Sequence, residues 1–232
     1  MTIENNRNVI PWIVVGCFAL AFLSYNTRKP SPMLGEEFQL IQKIGISEDE
    51  SERKQLIDQL ASVPERIYPF YSRWLIINDV QPFDCWTDDR YDSSLSDFPR
   101  DIQILAATKY GKSDIDNGGF HQFFSNGTGA FAPEMLEWFE RSELTDAAEV
   151  LRKAMAVFGD DFPRSQAARN EVLSKFQGHS REQRDPFYKM DDEFYASLPY
   201  ERKTFEKAAN RWLREVCGVT SLYQLAENRT RE

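Results

Sequence analysis

The chain is poor in the residues that carry most protein chemistry. Its 232 residues include two histidines, His121 and His179, and three cysteines, Cys17, Cys85 and Cys217. Neither histidine has a second ligand at helical spacing and no Cys-x-x-Cys occurs, which excludes the zinc-finger and metalloprotease patterns. So few cysteines also exclude a disulfide-stapled secreted fold. There is no Gly-x-Ser-x-Gly, no phosphate loop and no dinucleotide fingerprint, so acyl-transfer, phosphoryl-transfer and hydride chemistry lack a starting point. Asp114-x-Asp116 has the opening of a calcium loop, but Gly118 stands at position five and Ser125 at position twelve, where a bidentate glutamate is needed. No cofactor, no metal and no enzymatic activity are expected. Strand-period alternation is missing as well, and so is any internal repeat, which points to an all-α fold.

What is present is charge of one sign. Lys and Arg total 28 against 37 Asp and Glu, with 28% charged and 41% hydrophobic residues, enough for one medium globular domain with appendages. Residues 1–33 hold Glu4 against Arg7, Arg28 and Lys29, a net +2, so residues 34–232 carry −11 of the total −9. That excess repels nucleic acid and anionic lipid and steers basic proteins toward the surface. Direct nucleic-acid binding is therefore not expected. Solubility is the plainer use of the same charge.

Residues 9–25, Val9 to Tyr25, contain no charge and have Trp12 and Tyr25 near their ends. Seventeen residues lie at the short end of the roughly 17–25 that span a bilayer, and terminal aromatics suit the interfaces. The run reads as a single transmembrane helix at the cell membrane. A cleaved signal peptide, with Ala19-Leu20-Ala21 as its cleavage site, and a lipoprotein box around Cys17 are the competing readings. The positive-inside rule leans toward a cytoplasmic C-terminal domain. The expected organisation is an anchor and linker over 1–33, a helical extension with an acidic loop over 34–97, and a compact multi-helix domain over 98–232.

Within the extension, Phe38, Ile41 and Ile44 form one helical stripe, and Leu56, Ile57 and Leu60 another, with Ser47 as the second helix's N-cap. Residues 67–80 are dense enough in Tyr68, Phe70, Tyr71, Trp74, Leu75, Ile76 and Ile77 for a buried helix, with a strand as the alternative over the last residues. Residues 79–97 form a long loop with Trp86 and six aspartates, Asp84, Asp88, Asp89, Asp92 and Asp97 among them. Further on, Ile102, Leu105 and Ala106 begin a helix. Ala147, Leu151, Ala154, Met155 and Phe158 share a face, as do Phe205, Ala208, Ala209, Trp212 and Val216. Gly159 and Gly218 are placed as helix stops.

The most particular stretch is residues 113–129, which holds four of the eleven glycines and three of the seventeen phenylalanines. Asn117-Gly118-Gly119 can adopt positive φ and redirect the chain. Phe120, Phe123 and Phe124 follow at i, i+3 and i+4, on one face of the next helix. Asn126-Gly127 and Gly129 supply a second stop, and Pro133 suits the first position of the helix after it.

This run of Asp116, Asn117, Gly118, Gly119, Phe120, His121, Gln122, Phe123, Phe124, Ser125 and Asn126, together with Gly129, the Ile104-Leu105 helix and Asp191-Asp192-Glu193-Phe194-Tyr195, resembles the bacterial DNA-mimic protein family over roughly residues 98–217. The resemblance implies an all-helical acidic domain, possible homodimerisation, and surface carboxylates that imitate DNA phosphates and occupy the DNA site of a transcription factor. The motif itself is expected to be structural. The N-terminal anchor and the extension before residue 98 depart from the family pattern.

A DNA mimic needs carboxylates spaced like phosphates on a rigid surface. Glu134, Glu137, Glu140, Glu143, Asp146 and Glu149 recur every third residue. A break near residues 142–145, with Thr145 as N-cap, would divide them into two short acidic fans. Asp84, Asp88, Asp89 and Asp92 are the second candidate surface. The expected partner is thus a basic protein, a DNA-binding transcription factor being the case implied by the resemblance. Two other readings stand beside it. One is a scaffold module of a cell-envelope complex, contacting its partner through residues 67–80 and Trp86. The other is a hydrolase using Asp116, His121 and a neighbouring carboxylate.

Overall fold

The computed structural model describes residues 32–65, 67–80, 95, 98–177 and 180–224. The apolar run 9–25, together with Trp86, Asp84, Asp88, Asp89, Asp92 and Asp97, lies outside them. No helix among the described residues is long and apolar enough to cross a membrane. Those residues contain helices and no strand.

The extension contributes α1 (Pro32–Ile46), α2 (Glu50–Ser62) and α3 (Phe70–Ile77). The N-cap of α2 is Asp49, whose carboxylate accepts the Glu52 N–H at 2.7 Å, and not Ser47. Ser47 lies two residues too early and instead donates its hydroxyl to the Glu52 carboxylate at 2.9 Å. α1 buries Leu40 and Ile44 and leaves Ile41 and Phe38 half-buried, so its stripe is rotated from the expected one. α3 resolves the helix-or-strand ambiguity as helix, with seven of its eight residues buried. A buried ion pair closes the bend between α2 and α3. Arg73 meets Glu37 at 2.7 Å and donates to the carbonyls of Leu60, Val63, Pro64 and Tyr68. Glu37 also accepts the Ile67 and Tyr68 N–H groups, so both charges are saturated with hydrogen bonds.

The rest comprises α4 (Arg100–Ser125), a 3-10 turn over Gly127–Phe131, α5 (Ala132–Arg141), α6 (Thr145–Met155), α7 (Gln166–Leu173), α8 (Arg181–Arg184), α9 (Tyr188–Ser197) and α10 (Thr204–Arg211). α10 runs on as a π turn over Trp212–Val216. That turn explains one departure from expectation. Phe205, Ala208, Ala209 and Trp212 are buried, but the wider turn rotates Val216 out to 44% exposure.

One apolar cluster runs from Leu40 to Leu222. Phe120, Phe123, Phe124, Phe187 and Phe194 pack at its centre, Phe120 meeting Phe194 at 5.1 Å and Phe124 meeting Phe187 at 5.2 Å. The extension joins the same cluster through α3. Tyr71 sets its ring edge-on to Phe205 at 5.9 Å and donates its N–H to Asn210, while Trp74 donates its indole N–H to the Gln224 carbonyl at 2.8 Å.

Candidate partner-binding surface

The glycine-rich motif forms an internal joint. α4 kinks at Gly118 and Gly119, and Gly119 takes φ 71°, ψ −173°, a region open in practice only to glycine. A Cβ there would stand 2.4 Å from Asp191 Oδ2. Asp191, buried on α9, accepts the Phe120 N–H at 2.8 Å. The motif thus clasps α9 and aims the three phenylalanines into the core. Its far end is fastened in the same way: Asp114, buried, accepts hydrogen bonds from Asn126 and Thr128. Arg169, fully buried on α7, donates to the carbonyls of Phe124 at 2.9 Å and Asn126 at 2.7 Å, where α4 ends. Gly129 leaves room for that guanidinium, since a Cβ would lie 2.9 Å from Arg169 Nε and 2.7 Å from the Phe123 carbonyl. Pro133 occupies the first turn of α5, as its chemistry suggests. Sequence reasoning gave no role to Arg169, whose helix, Gln166–Leu173, shows no local signal for it.

No direct hydrogen bond joins Asp116 to His121. Asp116 is half-exposed and paired with Lys112 at 2.6 Å, while His121 Nδ1 stands 3.5 Å from Ser125 Oγ. Of the apolar contact expected for a scaffold, Trp86 lies outside the described residues and the α3 part is turned inward. Trp74 has no exposed surface, and α3 is consumed by the protein's own core. Among the described residues no group of three or more histidine, cysteine or acidic side chains could hold a metal ion.

The acidic row divides where expected, between α5 and α6, but it does not form two fans of free charge. Glu134 is buried and bridged by Arg164 at 2.6 Å and Arg100 at 3.4 Å. Glu137 meets Arg100 at 2.5 Å and Arg141 at 3.1 Å. Desolvation pushes the Glu137 carboxyl up, but the Arg100 and Arg141 guanidinium groups outweigh it and hold the group below its ordinary value. Glu140 is paired with Arg152 at 2.5 Å and Glu149 with Lys153 at 3.0 Å. Glu143 and Asp146 are exposed. Thr145 is the first residue of α6, with Leu144 at the cap position.

Glu143 closes α5 at φ 62°, the left-handed position that glycine normally fills. Its N–H bonds the Glu140 carbonyl, and the Leu144 N–H bonds the Phe139 carbonyl, a Schellman turn with an acid in the glycine place. An anion at a helix C-terminus also opposes the dipole. Glu143→Gly is therefore expected to stabilise the protein by about 1 kcal/mol, read as a raised urea midpoint at unchanged slope. An unchanged or lowered midpoint would mean the carboxylate has a compensating contact.

Two acidic areas remain. One is a shallow depression between α6 and α9, lined by Asp146, Glu149, Glu193, Val150, Ala196 and Ser197, with Lys153 between Glu149 and Glu193. The other is the α1–α2 corner, where Glu48, Asp49, Glu50 and Glu52 are all exposed. Arg53 fixes that corner against the end of α3, donating to the carbonyls of Ile44 at 2.9 Å and Ile77 at 2.6 Å. Asp79, exposed at φ 56°, ends α3 in a second Schellman turn at the same place.

No curated protein and no solved structure matches the chain. The family model of the DMP19-like proteins matches residues 96–216, from the start of α4 through the π turn, which is more than half of the chain. The protein belongs to the DMP19-like family, a family of DNA-mimic proteins.

Proposed function

We propose that the protein binds a basic, DNA-binding protein at the site where that partner would otherwise hold DNA, and that the extension supplies most of the charge for this. The observation that carries the reading is an uneven distribution of charge. Residues 96–216 hold 21 acidic against 17 basic residues, a net −4, whereas residues 34–95 hold 13 against 6, a net −7. Seven of the described acids in the family-matched part, Glu134, Glu137, Glu140 and Glu149 among them, are held in ion pairs, while the α1–α2 corner is exposed and fastened to α3 by Arg53. Family membership supports the mode of action, and the asymmetry supports where the partner docks. The run 9–25 would tether this surface to a membrane, with the acidic domain on the cytoplasmic side where DNA-binding proteins are found.

Neutralising the corner with Glu48→Gln, Glu50→Gln and Asp79→Asn removes three charges, and asparagine tolerates the left-handed backbone at position 79. The triple variant is expected to weaken partner binding at least about tenfold, mainly through slower association. Asp146→Asn, Glu149→Gln and Glu193→Gln together are expected to weaken it less. Equal binding by the corner variant and the unaltered protein would refute this docking site.

A further inference from the structure

Two buried side-chain polar atoms among the described residues have no hydrogen-bonding partner, Trp138 Nε1 and Ser142 Oγ. Trp138 lies on α5 and Ser142 is the residue that caps its C-terminal end. Positions i and i+4 put both side chains on the same face of α5, one turn apart, with Trp138 fully buried and Ser142 4% exposed. That face looks onto α10 and its π turn: the Trp138 ring packs at 5.2 Å from Phe205 and 6.2 Å from Trp212, and the Ser142 carbonyl accepts from Arg211 at 3.3 Å.

The two groups are chemically complementary to one small ligand. An indole N–H can only donate, and a hydroxyl can donate and accept. A buried donor left unpaired lowers a folding equilibrium constant by about tenfold, and buried polar groups without a protein partner are commonly served by an internal water. Turning the indole N–H onto the face of Phe205 or Trp212 would satisfy Trp138 alone and leave Ser142 unpaired. We propose that a single structural water accepts the Trp138 N–H and hydrogen-bonds the Ser142 hydroxyl. It ties the indole of Trp138 to the residue that caps α5, one residue before the Schellman turn at Glu143.

A crystal structure near 1.5 Å and a double-mutant cycle test this. Density for one water within about 3.2 Å of both atoms is expected. Ser142→Ala is expected to lower the folding constant by about fivefold in the unaltered protein and to have little effect when Trp138→Phe is already present. An empty map between the two atoms, or the same factor for Ser142→Ala in both backgrounds, would overturn the proposal. Should Trp138→Phe fail to fold, the map alone decides.

Discussion

Gly119→Ala is expected to remove about 3–5 kcal/mol of stability, a large part of the roughly 5–15 kcal/mol typical of a domain. Two effects add. The backbone at φ 71°, ψ −173° is open in practice only to glycine, which by itself is worth about 1–3 kcal/mol. The new methyl would also lie 2.4 Å from Asp191 Oδ2 and 2.7 Å from Oδ1. Asp191 has no easy retreat, because it is buried and holds the Phe120 N–H at 2.8 Å. Pushing it away strands that N–H and loosens Phe120 from its contact with Phe194. Gly159 and Gly218 are the controls. Both have positive φ, at 97° and 67°, and Gly159 shares the region of Gly119 with ψ −174°, but a methyl added at either would meet nothing within 4 Å, so alanine is expected to cost only the backbone strain, about 1–3 kcal/mol at Gly159 and about 1 kcal/mol at Gly218. Urea unfolding of the three variants separates the effects. Equal losses at all three positions would show that the Asp191 clasp contributes nothing beyond backbone strain.

Arg169→Met is the second large effect, expected at about 3–5 kcal/mol. Methionine keeps much of the apolar stem but removes the donors to four carbonyls, those of Phe124, Asn126, Pro163 and Arg164. Two of these, Phe124 and Asn126, belong to the negative end of α4, where a cation is also favoured by the dipole. Arg169→Lys is expected to recover little, because one ammonium cannot reproduce the planar fork of a guanidinium. Thermal and urea unfolding measure both variants. Full stability in Arg169→Lys would mean that charge alone, and not the multiple hydrogen bonds, secures the end of α4.

Local patterns told most of the fold. Phe120, Phe123 and Phe124 at helical spacing do share the core, and Gly159 and Gly218 do end helices. The kink at Gly119 was legible because glycine pairs have few other uses. What the chain's local order hides is partnership across distance. The every-third-residue acids looked like a free row, yet Glu134 is buried by Arg100 and Arg164, which lie 34 and 30 residues away. The Glu137–Arg141 and Glu149–Lys153 pairs, by contrast, are i,i+4 and were open to a reading of the sequence. Arg53 likewise joins the α1–α2 corner to α3 through backbone carbonyls, which leave no trace in residue type. The π turn that exposes Val216 has no sequence mark either. The surface was therefore harder to read than the core, since free charge depends on where the cations fold to.

The central claim is that the acidic surface stands in for DNA, and displacement by DNA tests it most directly. The immobilised protein would be exposed to host lysate at low salt, then eluted in parallel by rising salt and by duplex DNA. A DNA-binding protein released by both is the expected result, with affinity falling steeply and log-linearly with salt, as contacts that imitate phosphates require. Bound proteins that stay on in high salt and ignore duplex DNA would contradict it.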